Sequence, residues 1–404
     1  MTDAGLRPDG PGQPSDNSDR LARSEPSDER FGGASAPPSQ PPPTQIKPSI
    51  ARKAPLLLQG QDYFYRASDV CLDFQERVHQ LDLAPLHGEP IPCVLVLARA
   101  ADMEMNELSL ALAEREIRMV RIDADRCVDI ALTVHTDTPL IELDQWLLRP
   151  LLVWQRHFDL TALPVDPRNV SGAYAVDQWR AVSGWLSGRR DWAHVNEQGR
   201  ELGRLTQLSD AVRVGLKVPR TAVTTRPGRN RPGGGPCIVK TAGHHILEPS
   251  PGAMYGLFPR PLDTNRSADV PEPAPVIVQQ YLQAEYELRV FVVDGQVIGY
   301  RVDKRDPAQL WVDPEAVDVT PTEVPDDLAR RLLALARSWG LSVAAFDLLM
   351  VRGEPVFLEV NTNCDWLWFE QRAGGSAVSD AVFDWVARRF AELSSVAGLQ
   401  PHSP

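Results

Sequence analysis

The chain has 404 residues and a formal net charge of −12 at pH 7. Its length suits two or three domains, and its acidic balance argues against a general nucleic-acid-binding protein, which would usually be basic. No apolar run reaches the roughly 18 residues that a membrane span needs, and the five scattered cysteines form no CxxC pair. We therefore expect a cytoplasmic protein that binds neither nucleic acid nor membranes.

The N-terminal 55 residues differ from the rest of the chain. The first 50 residues hold 10 of the 36 prolines, many serines, aspartates and glycines, and almost no aromatic side chains. Such a segment cannot bury enough apolar surface to offset the entropy lost on ordering, so residues 1–55 are predicted to be a disordered tail. Residues 56–90 are an extension of unknown role, in which Tyr63-Phe64-Tyr65 favours a short strand and the apolar spacing over 69–83 favours a helix.

Residues 91–195 have the pattern of an α/β domain. The predicted elements are strands over 91–98 and 119–122 with a helix over 103–116 between them, two strands within 130–143, a strand over 151–157 and a helix over 172–195. Arg156 and His157 end the strand over 151–157. Ligands of open α/β sheets lie beyond the carboxyl ends of strands, although surface exposure is the default expectation for both side chains. No GxGxxG sequence follows the first strand, which argues against a dinucleotide-binding fold.

A second region begins near residue 196. The elements predicted to open it are a helix over 198–214, capped by Gly215, and a strand over 218–225. Three glycines at 233–235 then precede a strand that ends in Lys240. This is not a P-loop, because there the lysine is followed by a helix, but a lysine at the end of a strand can still reach a phosphate as a point charge. Residues 241–254 contain further glycines and are predicted to be a mobile lid.

The following region predicts antiparallel strands. The expected elements are strands over 276–282, 286–293 and 297–302, with Asp294-Gly295 as a type I′ turn between the last two, and a helix over 326–339. Within 286–293, Glu287, Arg289 and Phe291 share one face because side chains alternate along a strand. Two charged groups at this spacing would be unusual in a purely structural sheet, so Arg289 is a candidate functional residue.

Two apolar runs near the C-terminus, 343–351 and 356–363, predict a hairpin closed by the turn residues between them. On the second strand, alternation places Phe357, Glu359 and Asn361 on one face. One face of the hairpin is therefore expected to be packed in a core, while the other carries oxygen ligands.

The register of this hairpin decides what its acids can do. A three-residue loop centred on Gly353 sets Asp347 directly opposite Glu359, with Cβ atoms about 5 Å apart. Two facing carboxylates repel unless a cation lies between them, and Mg²⁺ usually binds through one or two carboxylates plus substrate phosphates. A loop of two or four residues would instead put the two carboxylates on opposite faces, as in a solvent-facing hairpin that happens to carry acids.

Three stretches together resemble the ATP-grasp superfamily: the strand ending in Lys240, VIVQQYLQAEYELRVFVVDG (276–295) and FDLLMVRGEPVFLEVNTN (346–363). More narrowly, YELRVFVVDGQVIGYRVD (286–303) and FLEVNTNCDWLWFE (357–370) are similar to the ribosomal-peptide maturases that make microviridin-type products, the graspetides. RLTQLSDAVRVGLKVPRTAVTT (204–225) and LLVWQRHF (151–158) extend the resemblance, which covers about 91–395.

The resemblance implies a fold that combines α/β and α+β architecture. A pre-ATP-grasp α/β domain would occupy 91–195, and a two-lobed ATP-grasp domain would occupy 196–395. The small lobe would cover about 215–282 and the metal-binding lobe about 283–395. Whether the protein is a homodimer is left open.

The resemblance also assigns roles at matching positions. ATP would be bound at its phosphates by Lys240 and Arg204, at the adenine edge by the backbone near Gln280, Tyr281 and Leu282, and at the ribose by Glu285. The implied catalytic residues are Lys240 and Arg289, the latter neutralising the γ-phosphoryl group as it transfers. Mg²⁺ would be held by Asp347, Glu359 and Asn361, in agreement with the hairpin argument.

In the resembling family, ATP converts an Asp or Glu side chain of a precursor peptide into an acyl phosphate, and a Ser or Thr hydroxyl or a Lys amine of the same peptide then displaces phosphate. The implied cofactors are ATP and Mg²⁺, the implied partner is a precursor peptide, and the product is a macrocyclic ester or amide.

The sequence departs from the family pattern in three places. Asn361-Thr362-Asn363-Cys364-Asp365 stands where Asn-Pro-x-Gly-Gln is common, Arg204 replaces a lysine, and no Asp-x-Arg motif follows Arg301. Two alternatives therefore remain: a RimK-like ligase that adds a free amino acid or amine to a carboxylate, and a degenerate ATP-binding scaffold of a peptide-maturation complex.

Overall fold

The structure is a computed structural model that describes residues 64–66, 89–196, 202–263, 271–306 and 316–399. The tail predicted over 1–55 and the helix predicted over 69–83 lie outside the described residues. Phe64–Arg66 (β1) forms a strand, as predicted. Among the described helices, none is both long and apolar enough to cross a membrane.

A six-stranded sheet comes first in the chain. Its strands are β2 (Ile91–Ala98), β3 (Met119–Asp123), β4 (Leu132–Val134), β5 (Ile141–Leu143), β6 (Trp146–Gln155) and β7 (Ala193–His194). The order is β3-β2-β6-β5-β4, with β7 paired to β6, and β2 lies parallel to both β3 and β6. The helices α1 (Met103–Ala113) and α2 (Val170–Gly188) accompany it. The predicted parallel unit is confirmed, and β2 is a continuous apolar run because both of its faces are buried.

Two small sheets follow. One has the order β12-β9-β13-β8, built from β8 (Thr221–Thr224), β9 (Cys237–Lys240), β12 (Arg260–Pro261) and β13 (Val276–Gln280). The other has the order β1-β11-β10, built from β1, β10 (Ile246–Ser250) and β11 (Ala253–Gly256). The segment predicted as a mobile lid, 241–254, thus contains most of a hairpin. Helix α3 (Arg204–Arg213) precedes β8 and is followed by Gly215 at φ +81°, the conformation that favours glycine after a helix.

The last sheet is antiparallel and has the order β16-β15-β14-β17-β18. Its strands are β14 (Tyr286–Val293), β15 (Gln296–Lys304), β16 (Val317–Thr322), β17 (Val343–Val351) and β18 (Glu354–Asn361). One face packs on α3 and α4 (Asp326–Ser338), and the other packs on α5 (Leu367–Ala373) and α6 (Ala377–Val396). Asp294 and Gly295 both have positive φ between β14 and β15, as a type I′ turn requires.

Helix α6 joins the first sheet to the last. Its buried residues Val382 and Val386 share one core cluster with Val96 of β2 and with Phe291 and Val293 of β14. The two large sheets are therefore held by a common hydrophobic core, so that the ends of their strands keep a fixed relation.

The hairpin β17–β18 corrects two predictions. Its loop has two residues, Arg352 and Gly353, both with positive φ, and Val351 pairs with Glu354 rather than with Pro355. A shift of register between Asp347 and Leu348 then inserts one extra residue, Leu358, into β18. This bulge adds the residue that the shorter loop omits, so Asp347 still lies directly opposite Glu359.

The bulge also changes the face of one side chain. Phe357 pairs with Leu348 and is fully buried in the core that contains Phe346 and Val360. The prediction that Phe357 shares a face with Glu359 is therefore wrong, because alternation is interrupted at Leu358. Glu359 remains free of that core and half-exposed.

Candidate nucleotide and metal site

Three charged side chains form a row across adjacent strands of the last sheet. In the antiparallel registers, Arg289 of β14 is paired with Asp347 of β17, which is paired with Glu359 of β18. The Arg289 Nη1 atom donates to both carboxylate oxygens of Asp347, at 2.8 and 2.7 Å. The predicted functional face of β14 and the predicted acid pair are thus brought together at one place.

Two further cations reach this row from other elements. Arg204, the first residue of α3, donates through Nε to Glu359 Oε2 at 2.8 Å. Its Nη1 atom also donates to the hydroxyl of Thr241 at 2.8 Å. Lys240, the last residue of β9, places Nζ 4.0 Å from the same Glu359 oxygen. The structure therefore brings Lys240, Arg204 and Arg289 to the two facing acids.

The environment shifts the protonation of these groups. Burial lowers the pKa of Lys240, and the negative charge of Glu359 restores that pKa only in part. Burial also opposes the charged form of Glu359, but Lys240 and Arg204 outweigh it and lower the pKa of that carboxyl. Burial raises the pKa of Asp347, and the facing Glu359 adds to the rise while Arg289 opposes it. The two facing acids are thus pushed apart in pKa.

These residues fit a nucleotide with a divalent cation. Three cationic side chains against two carboxylates leave an excess of positive charge, which phosphate oxygens can occupy. The Nε atom of Arg289 is buried and has no hydrogen-bond partner among the described residues, so it is a donor that still needs an acceptor. Within the described ranges, no three His, Cys, Asp or Glu side chains are grouped to hold a metal, so a magnesium ion here would depend on phosphate oxygens as well.

Asn361, the third predicted metal ligand, lies two residues beyond Glu359 and closes the turn after β18. Its Oδ1 atom accepts from the backbone N–H groups of Asn363 and Cys364, at 2.9 and 3.1 Å. Its Nδ2 atom donates to Asp365 Oδ2 at 3.1 Å. A metal ion at Asn361 would therefore share Oδ1 with one of these N–H groups or displace it.

The predicted adenine and ribose contacts lie where the chain passes from β13 to β14. The backbone N–H of Gln280 donates to Arg220 O at 2.8 Å, and that of Tyr281 donates to Pro236 O at 2.9 Å. Leu282 is half-buried and Glu285 is exposed. An adenine ring could not accept from the first two N–H groups without breaking existing bonds, which leaves Leu282 and the carbonyl groups of this segment for base recognition.

A second set of polar residues lies beside this site. Arg156, expected to be exposed, is fully buried at the end of β6 and bonds to Asp102, Glu104 and Asp365. The backbone oxygen of Asp365 lies 3.4 Å from Arg289 Nη2. The position of Arg156 and His157 at a strand end was the sequence signal for this set, and Asp365 was marked only as part of the segment 361–365 that departs from the family pattern.

The structure resembles several solved proteins, three of which are described below. The macrocyclase MdnC from Microcystis aeruginosa MRC, solved with its precursor peptide MdnA, gives a TM-score of 0.61 at 18% identity over 73% of this chain and 99% of that one. A RiPP-associated ATP-grasp ligase of Chryseobacterium gregarium, solved with ADP and a leader and core peptide, gives 0.59 at 16% identity over 74% and 97%. The ATP-grasp ligase PsnB, solved with a minimal precursor, gives 0.58 at 21% identity over 73% and 99%.

In sequence, the chain is 26% identical over 208 residues to the probable alpha-L-glutamate ligase 2 of Shewanella amazonensis. The aligned region covers 47% of this chain and 64% of that relative. The chain thus spans somewhat less than two thirds of that relative's length. No family model matches the chain.

The fold is that of the ATP-grasp ligases, and the predicted fold class is confirmed. Of the three solved proteins, one is described as a macrocyclase and two as ATP-grasp ligases, and each was solved with a precursor or with a leader and core peptide.

Proposed function

We propose that this chain is an ADP-forming ligase that uses ATP and Mg²⁺ to activate a carboxylate as an acyl phosphate. The observation that carries the proposal is the row of Arg289, Asp347 and Glu359, with Arg204 and Lys240 against Glu359. Phosphoryl transfer needs positioning and neutralisation of charge more than covalent help from the protein. This arrangement supplies both, and its three cations come from three separate elements, α3, β9 and β14.

The charged residues have partners to exchange when a nucleotide binds. Without one, the cations are paired with the carboxylates. With one, Arg204, Lys240 and Arg289 would hold phosphate oxygens, and Asp347, Glu359 and the oxygen of Asn361 would hold Mg²⁺. The bound Mg²⁺ would supply further positive charge at the phosphates and bring their oxygens into line. In the absence of nucleotide, the carboxylates thus take the place of the phosphates as partners of the buried cations.

The substrate we propose is a carboxyl side chain of a ribosomally made precursor peptide. The terminal phosphoryl group of ATP would pass to that carboxylate and leave ADP. A hydroxyl or amine of the same peptide would then attack the acyl carbon and lose its proton as phosphate departs. The likeness to peptide-bound ligases over nearly their whole length supports this choice. The product would be a macrocyclic ester or amide.

A second candidate is a ligase that joins a free amino acid or amine to a carboxylate. The similarity to a probable glutamate ligase favours it. The two candidates share the nucleotide site and differ only in the nucleophile, so the change in mass of the acceptor separates them.

The experiment incubates the purified protein with Mg-ATP and short peptides encoded beside its gene. Macrocyclisation would release ADP and lower the peptide mass by one water for each bond formed. ADP with a gain in peptide mass would establish the amino-acid ligase instead. Release of AMP would contradict the proposed chemistry, and absence of turnover with all such peptides would favour a non-catalytic scaffold.

A further inference from the structure

The loop that follows β18 is held by the first sheet. Arg156 lies directly after β6 and is fully buried. It donates through Nε to Asp102 Oδ2 at 2.8 Å, through Nη2 to Asp365 Oδ1 at 2.8 Å, and through Nη1 to the carbonyl oxygens of Asn363 and Cys364. One arginine thus binds both the side chain and the backbone of the segment that leaves the candidate metal site.

Asp365 is the residue through which this contact reaches the site. Its Oδ1 atom accepts from Arg156 and lies 2.7 Å from His157 Nε2. Its Oδ2 atom accepts from the Nδ2 atom of Asn361 at 3.1 Å. One carboxylate oxygen therefore faces the end of β6, and the other faces a candidate metal ligand.

This contact fixes the direction of the Asn361 amide. A carboxylate accepts hydrogen bonds and cannot donate them, so Asp365 binds the NH₂ end of the amide and would repel its oxygen. The Oδ1 atom of Asn361 is therefore turned toward the backbone N–H groups of Asn363 and Cys364. Rotation of the amide by a half turn would oppose oxygen to oxygen at Asp365 and NH₂ to N–H at the turn.

Asp365 is not the only carboxylate beside the buried Arg156. Asp102 and Glu104 already approach the guanidinium to 2.8 and 3.1 Å, with side chains 1% and 12% exposed. The Asp365 side chain is 43% exposed. Three carboxylates thus surround the buried cation, and the most exposed of them, Asp365, extends from it to Asn361.

We propose that Asp365 is a positioning residue which, held by Arg156 and His157, orients Asn361 and thereby sets the affinity of the site for Mg²⁺ in the nucleotide complex. This inference rests on the proposed function. Groups that orient metal ligands in this way typically change metal affinity by about 10- to 100-fold when they are removed.

The test measures binding of Mn²⁺, as a paramagnetic probe for Mg²⁺, to the full chain with a non-hydrolysable ATP analogue. Asp365→Asn keeps the volume and can still accept from Arg156, but it no longer distinguishes the two ends of the Asn361 amide. We expect its Kd for Mn²⁺ to rise about tenfold, while the affinity for the metal-free analogue stays within about twofold. Asp384→Asn, which alters an exposed aspartate that accepts from Arg115 at 2.6 Å, is the matched control.

A reversal of sign separates this role from a structural one. Asn361→Asp alone would set two carboxylates against each other across the 3.1 Å contact. In that background Asp365→Asn restores a donor and an acceptor, so it should tighten Mn²⁺ binding, whereas in the wild-type background it should weaken binding. A merely structural effect of Asp365→Asn would have the same sign in both backgrounds.

The outcomes distinguish failure of this inference from failure of the proposed function. An unchanged Mn²⁺ affinity in Asp365→Asn, beside a weakened one in Glu359→Gln, would overturn the inference and leave the function standing. Absence of Mn²⁺ binding by the wild-type complex beyond that of the free analogue would overturn the function itself. Should Asp365→Asn fail to fold, His157→Asn, which suits the positive φ of 51° at that position, removes one support of Asp365. It should weaken Mn²⁺ binding in the same direction, and no change would again refute the inference.

Discussion

Glu359 compensates the positive charges of Arg204 and Lys240 in the candidate site. Its carboxylate is bonded to Arg204 and lies 4.0 Å from Lys240. Without that negative charge, two cations would face each other in a half-buried place, and a magnesium ion would lose a ligand. The residue therefore supports both the ligand-free fold and the proposed chemistry, and the two effects can be measured separately.

We predict that Glu359→Gln lowers magnesium-dependent ATP turnover by about 100-fold or more, since it removes one of two carboxylates from the proposed phosphoryl-transfer site. It should also lower the melting temperature of the ligand-free protein. Glu354→Gln is the matched control on the same strand, because Glu354 pairs with Lys217 on the surface, 3.3 Å apart. Equal turnover in the two variants would contradict the assignment.

The lowered pKa of Glu359 gives that stabilisation a direction in pH. A carboxyl whose pKa falls on folding stabilises the fold at any pH above its ordinary, unfolded-state pKa. This stabilisation is lost as the pH falls through the lowered pKa of the folded state. We therefore expect the difference in melting temperature between wild type and Glu359→Gln to be largest near neutral pH and to close in acid. Thermal unfolding over a pH series checks this, and a difference that widened in acid would disprove it.

Lys240 predicts a pH effect of the other kind. Burial lowers its pKa, so it should lose its proton, and with it the attraction for phosphates, below the ordinary range for lysine. Nucleotide affinity in wild type should therefore decline on the alkaline side before that range is reached. In Lys240→Arg the decline should move to higher pH, because a guanidinium stays charged. Identical alkaline profiles in binding titrations would exclude Lys240 from the phosphate site.

At the scale of elements, the hairpin β17–β18 combines a tight turn with a bulge. Apolar alternation and turn residues were enough to predict both strands and the opposition of Asp347 and Glu359. They could not reveal that the loop has two residues and that Leu358 is an extra, unpaired residue in β18. A three-residue loop without a bulge and a two-residue loop with one give the same pairing of Asp347 with Glu359. The burial of Phe357 was missed for the same reason.

The turn itself gives a pair of opposite predictions. Arg352 has φ +54° and Gly353 has φ +72°, as a type I′ turn requires. Arg352→Asn should raise the free energy of unfolding by about 0.5 kcal/mol, because Asn tolerates this conformation. Gly353→Ala should lower it by about 1 kcal/mol. Chemical denaturation measures both, and the same sign for the two changes would contradict the turn type.

The hairpin β10–β11 is fastened to the first sheet by one enclosed ion pair. Arg99 donates through both terminal nitrogens to Glu248, at 3.0 and 2.9 Å, and Glu248 also accepts from the Gly252 N–H at 2.7 Å. The Glu248 side chain is only 3% exposed. Loss of Arg99 would therefore leave the buried carboxylate of Glu248 without its cation.

We predict that Arg99→Ala speeds amide hydrogen exchange over 246–256 far more than elsewhere, because removing one partner of a buried pair typically costs about 3–5 kcal/mol. Arg115→Ala, which breaks an exposed pair with Asp384, should change exchange little. Uniform protection in both variants would show that the hairpin is held by other contacts.

For the whole molecule, the succession of strands and helices could be predicted from the sequence better than the contacts between residues far apart in the chain. Period and turn chemistry gave the parallel unit of 91–123 and the antiparallel strands after 286, because these depend on neighbouring residues. The burial of Arg156 could not be foreseen, since it depends on Asp102 and Asp365, which lie 54 and 209 residues away in sequence. The predicted domain limits near 56, 91, 196 and 283 and the predicted cytoplasmic location stay predictions.

The composition of the N-terminal tail predicts that removing residues 1–50 leaves folding and ATP turnover unchanged. A longer deletion, through residue 67, would also remove β1, which pairs with β11. We expect that deletion, unlike the shorter one, to increase proteolysis at the β10–β11 hairpin. Loss of folded protein on the shorter deletion would contradict the prediction.

The common core that α6 builds between the two large sheets decides which part of the molecule can swing. Separating those sheets would expose Val96, Phe291, Val382 and their neighbours to water, at a high free-energy cost. The sheet that carries Lys240 has its own small core of Cys237, Val239, Leu262, Val276 and Val278. We therefore expect the six- and five-stranded sheets to move as one body, and the sheet with Lys240 to be the part that can turn against them, with residues 281–285 between β13 and β14 as one of its connections.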